Sequence, residues 1–329
     1  MRMMLVAGST ETARIDGISA AGATPMLAAH TPAADAEILC YGRPVSAPVT
    51  PVSPAGCPTP AAITRAVREL CPFPVTVLDA GMATPTAAPT VSFGHDPGAD
   101  VRDPVTVPVA AELYADARRF GSTLPDAEIV IAETIPGGTT TAAGVLAALG
   151  EPYGVSSSLA AHPVELKGAV VEKGLAASSL TTGTLDDPLE AIRLMGDPVL
   201  AVATGLVHGA HEAGIRTILA GGTQLLTVAI LSRRLGVDGP LTLATTPFVL
   251  ADEHADVPVA ATVHRVVVVA TDPGFDPDGH PSMAAYARGT AKEGVGMGGA
   301  LWHAARADLP MAAVRDRVVA LTEELIDDG

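Results

Sequence analysis

Three short segments of this chain set an oxygen-bearing side chain beside closely spaced glycines. In the first, Ile129-Val-Ile-Ala-Glu-Thr-Ile-Pro-Gly-Gly-Thr-Thr-Thr141, an apolar run ends in Glu133 and passes through Gly137 and Gly138 into Thr139 and Thr140. With the run as a buried strand and the threonines opening a helix, free backbone N–H groups and the positive end of a helix dipole face an anion, and a phosphate is the natural guest. A capped helix with a tight turn has the same spacing. No Gly-Lys-Ser/Thr follows, so this is not a Walker loop, nor is the spacing that of the dinucleotide fingerprint. The second segment, Ile218-Leu-Ala-Gly-Gly-Thr-Gln-Leu-Leu226, repeats the chemistry with Gly221, Gly222 and Thr223. In an open α/β sheet both turns lie at carboxyl ends of strands, where ligands collect, and a converging pair is harder to assign to capping alone. The third, Ala291-Lys-Glu-Gly-Val-Gly-Met-Gly-Gly-Ala300, puts Glu293 beside Gly294 and Gly296. Facing an apolar cavity, that carboxylate would gain a pKa useful to a general base; in an open loop it would be an ordinary exposed glutamate.

Other residues carry weaker signals. Asp79 ends an apolar run before Gly81 and either reaches a ligand or closes a turn. His208 and His211 share a helical spacing but have no third ligand nearby, so no metal is expected. Ser156, Ser157 and Ser158 lack the G-x-S-x-G elbow of a nucleophile and read as turn or cap residues. Asp252, Glu253 and His254 read as a solvated polar face.

The elements that must position these residues alternate short β-branched runs with helical ones, the mark of a mostly parallel sheet covered by helices. Strands are expected over 1–8, 37–41, 75–79, 128–132, 216–219, 241–244 and 263–270. Helices are expected over 60–70, 109–119, 140–149, 163–177, 188–194, 198–213, 224–235, 282–289, 298–307 and 310–326. The proline-rich stretch 43–60 cannot be a helix or a central strand and should be an ordered loop. A second irregular stretch, 81–107, exceeds the usual connection length. The expected architecture is three-layer, Rossmann-like α/β, a single domain over 1–329. Its core spans about 35–280 and a small helical part combines about 1–34 with 281–329.

Composition narrows the function classes. Hydrophobic residues make up 48% of the 329 and aromatics 3%, so the core is built from aliphatic side chains and intrinsic disorder is excluded. A formal net charge of -16 repels phosphate backbones, which argues against a nucleic-acid binder. Only Lys167, Lys173 and Lys292 are lysines. An acidic, lysine-poor surface suits a halophilic cytoplasm. Cys40, Cys57 and Cys71 have neither disulfide nor zinc-ribbon spacing and read as small buried hydrophobes in a reducing compartment. The first eight residues are too short for a signal-peptide core, and the uncharged stretches 134–150 and 217–232 fit turns followed by buried helices rather than membrane spans.

The order Glu133-x-x-x-Gly-x-Thr-Thr140, then Gly221-Gly222 and its helix, then Glu293-Gly-Val-Gly296 resembles the nicotinate-nucleotide:dimethylbenzimidazole phosphoribosyltransferases. The segments Ile15-Asp-Gly-Ile-Ser-Ala-Ala-Gly22, Thr31-Pro-Ala-Ala-Asp-Ala-Glu37, Pro136-Gly-Gly-Thr-Thr-Thr141 and Val155-Ser-Ser-Ser158 are similar to the archaeal, including haloarchaeal, branch. Together these motifs cover nearly the whole chain. The resemblance implies phosphoribosyl transfer from nicotinate mononucleotide to a benzimidazole or purine base in cobalamin lower-ligand synthesis. No cofactor is implied, and the protein would be a cytoplasmic homodimer. Glu293 takes the position of the family's general base and Glu133 that of a ribose- or base-positioning glutamate. The two Gly-Gly-Thr loops, with Gly294 and Gly296, would hold the substrates. Where the bacterial enzymes have Gly-Ile-Gly-Asn, this chain has Ile135-Pro-Gly-Gly138, so the amide side chain is missing at Gly138. A non-catalytic binder of a mononucleotide or cobamide precursor would keep the glycine loops without needing Glu293 close to them.

Overall fold

The sheet is built from strands whose side chains alternate between two buried faces, and that alternation splits the core in two. The computed structural model describes residues 1–22, 24–53, 56–94 and 96–327. Its strands are β1 (Arg2–Ala7), β2 (Val75–Asp79), β3 (Thr90–Ser92), β4 (Glu128–Thr134), β5 (Arg216–Ala220), β6 (Leu241–Thr245) and β7 (Val266–Ala270). Met4, Val6, Ile129, Ile131 and Leu219 enter one apolar layer, packed under the helices Ala110–Ser122, Gly138–Ala148, Pro198–Glu212 and Thr223–Arg234. Met3, Leu5, Val130, Ala132 and Ile218 enter the other, under the helices Thr31–Tyr41, Ala61–Leu70, Met297–Arg306 and Met311–Asp327. Successive strand residues pointing to opposite faces, each covered by helices, is what makes these runs continuously apolar.

All neighbouring strands pair in parallel, in the order β3-β2-β1-β4-β5-β6-β7. Growth of the sheet reverses between β1 and β4, where Val6 pairs with Glu133 and Ala7 with Thr134. The loops leaving these two strands diverge to opposite sides, and a crevice opens beyond their carboxyl ends. β4 is thus the central strand with β1 beside it, so residues 2–7 belong to the core of the sheet rather than to a small terminal part, and the C-terminal helices close the second face.

The α/β architecture expected from the sequence is the one observed, with local corrections. The stretch 37–41 is not a strand but the end of the helix Thr31–Tyr41. Pro32 sits in its first turn and Gly42 closes it with φ 86°, start and stop signals that outweigh the β-like run Ile-Leu-Cys-Tyr. Residues 31–39 are all buried, so no amphipathic period betrays the helix. The last strand begins only at Val266, because Pro258 opens a short helix, Val257–Val263. The stretch 81–107 contains the edge strand β3. The loop 43–60 has no helix or named strand among its described residues; 54 and 55 lie outside them. Cys57 is buried, whereas Cys40 and Cys71 are only partly so.

Candidate active site

Three helix starts meet over the crevice. The turn after β4 reaches the helix Gly138–Ala148 through Gly137, whose φ of 80° places a would-be Cβ 3.0 Å from the Ala13 backbone nitrogen. Only glycine fits that turn. The turn after β5 enters the helix Thr223–Arg234 through Gly222, and the helix Met297–Arg306 begins after Gly296. At Gly296, with φ 72°, a Cβ would come within 2.7 Å of Ala132 Cβ, so its absence lets this helix start directly on the sheet.

The cleft beneath these turns holds about 910 Å³ of empty space, part of it open to solvent. Its wall includes Glu133, Gly137, Gly138, Thr139, Gly222, Thr223, Glu293 and Gly294, so most residues singled out in the sequence meet in one place. Thr140, Gly221 and Gly296 support the turns from behind and do not line it. Asp79 is not brought there: its Oδ1 accepts from the backbone N–H of Gly81 and Met82, both at 2.9 Å, and closes its own turn.

The Glu293 loop is held in a constrained form. Its Cβ is 3.8 Å from where a Cβ on Gly222 would stand, so the carboxylate loop touches the second glycine turn. Both Glu293 oxygens accept from the Gly298 backbone N–H, at 2.9 and 3.1 Å, at the start of the helix Met297–Arg306. Ala291 and Val295 have φ of 60° and 51°, costly for residues with a Cβ and tolerated where the surroundings over-determine them. Those surroundings are specific: the Val295 N–H donates to the Glu133 carbonyl at 2.9 Å, and Thr64 Oγ1 donates to the Val295 carbonyl at 2.8 Å.

Buried groups of both charges surround the cavity. On the acidic side, burial raises the Glu293 carboxyl well above its usual range, and nearby Glu133 adds to the shift. Burial, with Asp197 and Asp35 nearby, raises Glu133 to about 8. Burial raises Asp35 to about 6, against hydrogen bonds from Thr134 and Thr59. Perturbed carboxyls clustered in one cleft are what acid–base chemistry requires.

On the cationic side stand two of the three lysines, both buried. Lys292 Nζ donates to Asp252 Oδ2 at 2.8 Å and to the Ser157 carbonyl at 3.0 Å. Lys167 Nζ donates to Thr139 Oγ1 at 2.7 Å and to the Ser156 carbonyl at 2.9 Å. Burial, helped by the Lys292 charge, lowers the Lys167 ammonium to about 7. Burial alone would raise Asp252, but hydrogen bonds from Lys292, Ser156 and the His254 N–H bring it down to about 2.

The sequence reading missed Asp35, Lys167, Lys292 and Gln224 as functional groups, and Asp252 is a buried ion-pair partner rather than part of a solvated face. The rarity of lysine was the available signal. Gln224 brings an amide beside Gly138, within 3.2 Å of where its Cβ would stand, and its Oε1 is buried with no protein partner. Among the described residues, no group of three His, Cys, Asp or Glu side chains is placed to hold a metal ion, and no helix is long and apolar enough to cross a membrane.

No family model matches the chain. A UPF0284 protein of Halobacterium salinarum is 58% identical over 98% of this chain and 97% of its own length. The chain belongs to the UPF0284 family. A UPF0284 protein of Methanosarcina mazei is 41% identical over 91% of this chain and 87% of its own, and one of Pyrococcus abyssi 39% over 98% and 97%. The fold of this UPF0284 chain matches that of nicotinate-nucleotide-dimethylbenzimidazole phosphoribosyltransferase from Thermus thermophilus. The TM-score is 0.58 at 16% identity, covering 98% of this chain and 82% of the other. A structure of CobT from the same organism matches with a TM-score of 0.60 at 17% identity, covering 97% and 83%. At these identities the likeness is one of fold.

Proposed function

We propose that the protein transfers the phosphoribosyl group of nicotinate mononucleotide to a benzimidazole-type base, releasing nicotinate, as a step in building the lower ligand of a cobamide. The observation that carries this reading is the contact of the Glu293 loop with the Gly222 turn in a cavity shared with the Gly137-Gly138 turn. A binding protein needs the glycine turns but has no use for a desolvated carboxylate beside them. The resemblance in fold to the T. thermophilus enzyme adds to it.

Each wall has a task. The phosphate sits among the helix starts at Thr139 and Thr223 with Lys292, where N–H dipoles and a buried cation favour an anion. The orphaned Gln224 Oε1 accepts from a ribose hydroxyl. The lone pair of the incoming azole nitrogen attacks C1 of the ribose from the face opposite nicotinate. The C1–N bond breaks, and its electron pair neutralises the departing pyridinium, so the configuration inverts and no metal is needed for departure. The azole's N–H proton passes to the ionised form of Glu293, which the Gly298 N–H supports and whose raised basicity suits it to a weakly acidic proton. Glu133, neutral around pH 7, stays a hydrogen-bonding group that positions the ribose or base and does not compete for that proton.

The same reading makes the protein a cytoplasmic homodimer of a high-salt cell. The exposed Val267 on the edge strand β7, with Val259 and Val263 on the helix before it, gives a surface for a second copy, and sedimentation at high salt tests it.

The deciding experiment follows nicotinate release from nicotinate mononucleotide with a panel of benzimidazoles and purines. Glu293→Gln is expected to lower kcat by about 10²–10⁴ while keeping mononucleotide binding. Unchanged single-turnover rates in that variant would falsify the role given to Glu293, and release without any acceptor would indicate a nucleosidase instead.

A further inference from the structure

We infer that the wall formed by Asp35 and Thr31 is a hydrogen-bonding subsite for the acceptor base. It would select a heterocycle with a donor beside an acceptor on its outer edge, such as a 6-aminopurine or a hydroxybenzimidazole, over a dimethylated benzimidazole. The inference rests on the transferase reading above and specifies the acceptor that reading leaves open.

Thr31 and Asp35 are one turn apart on the helix Thr31–Tyr41, so both fall on the face that lines the cavity. They are 5% and 2% exposed, yet the Thr31 hydroxyl has no partner in the protein. A buried polar group left unmatched is destabilising, so its presence on a cavity wall points to a ligand that satisfies it.

Asp35 is held but not saturated. Thr59 Oγ1 donates to Oδ1 at 2.6 Å and Thr134 Oγ1 to Oδ2 at 2.7 Å, so each oxygen keeps accepting capacity. The two threonines have committed their only protons to Asp35 and have none to give a ligand. What the wall offers is a strong acceptor at Asp35 beside a free hydroxyl at Thr31. Its complement is an N–H or O–H donor next to a lone pair. Two methyl groups in that place would leave the Thr31 hydroxyl unpaired and the remaining lone pairs of Asp35 dry.

The subsite stands at the base end of the cavity. Thr134 follows Glu133, and Thr59 precedes Pro60, whose Cγ is 3.3 Å from where a Cβ on Gly294 would stand, so this wall adjoins both glutamates. The buried lysines lie instead with the serine loop 156–158 and claim the phosphate end.

The test combines nicotinate-release kinetics with calorimetric binding of adenine, 5-hydroxybenzimidazole and 5,6-dimethylbenzimidazole. It compares the unaltered protein with Thr31→Val and Asp35→Asn. Thr31→Val strands no partner and should fold. The polar-edged bases are expected to have kcat/KM at least about 10-fold above dimethylbenzimidazole, with each variant shrinking that ratio about 10-fold. A preference for dimethylbenzimidazole, or a ratio unmoved in both variants, overturns the subsite and leaves the transferase standing. Selective binding of the polar bases without nicotinate release upholds the subsite and removes the transferase reading. Failure of all three bases to bind removes both.

Discussion

Lys292, next in sequence to Glu293, donates from Nζ to Asp252 Oδ2 at 2.8 Å, and neither side chain is more than 9% exposed. Asp252 also accepts from Ser156 Oγ at 2.7 Å, and the Lys292 carbonyl accepts from Thr246 Oγ1 at 2.7 Å. Lys292 therefore ties the strained Glu293 loop to the serine loop through its side chain and to the end of β6 through its carbonyl.

Breaking this pair from one side should hurt more than removing both charges. Lys292→Met leaves a buried carboxylate without its cation, a loss of about 3–5 kcal/mol. Adding Asp252→Asn removes the stranded charge and should recover a large part of that loss. Urea unfolding of the two single variants and the double variant measures the coupling. Strictly additive losses would mean that the pair does not act as a unit.

Glu133 should make the protein less stable as pH rises through neutrality. Its folded pKa of about 8 lies above the ordinary value of 4.5, so the folded state binds the proton more tightly. The resulting stability is fully present below about pH 4.5 and is lost as pH rises through about 8. Asp35, raised from 3.8 to about 6, has the same sign over a lower window. Glu133→Gln should flatten the decline in unfolding free energy between about pH 5 and 8. An unaltered slope in that variant would show that Glu133 is ionised in the native cavity.

How far the fold was legible depended on whether a signal was local. The strand runs leading into Glu133 and Gly221 could be read because their unbroken apolar residues and the Gly-Gly-Thr turns lie within a dozen residues. Asp35 could not, because the hydroxyls that reveal its role, on Thr59 and Thr134, are remote in sequence. Asp252 looked solvated beside Glu253 and His254, while its cation is 40 residues downstream. Glu37 was placed in a strand because a helix buried on every side has no polar stripe to mark its period.

Glu37 itself should be a keystone of the two irregular loops. Its Oε2 accepts from the backbone N–H of Ser46 and Ala47 at 3.0 and 3.1 Å, and its Oε1 from that of Ala87 at 2.7 Å. Burial would raise its pKa, but these bonds and those from Ser46 Oγ and the Val45 N–H outweigh it and hold the carboxyl at about 2. Stability from this group is present above about pH 4.5 and is lost as pH falls toward 2, the reverse of Glu133. Glu37→Gln turns an amide N–H₂ toward backbone donors and should cost about 2–3 kcal/mol. Denaturation at neutral pH checks the loss, and proteolysis checks whether cleavage concentrates in 43–50 and 81–90. Cleavage spread evenly along the chain would argue against a local keystone.

Salt should stabilise the protein, although it weakens individual surface ion pairs. Pairs such as Arg118 with Glu212 and Arg119 with Asp116 are solvent-exposed, and such pairs contribute little. Against them stands the mutual repulsion of 36 acidic residues and only 20 basic ones. The screening length falls from about 10 Å at 0.1 M to about 3 Å at 1 M, so repulsion between separated carboxylates vanishes first, while the buried Lys292 and Asp252 pair is barely screened. Raising KCl from about 0.1 to about 2 M should therefore increase Tm by roughly 3 °C, corresponding to about 2 kcal/mol for a chain of this size. A melting temperature that stays level or falls over that range would mean that the excess acidic charge is too dispersed to strain the folded state.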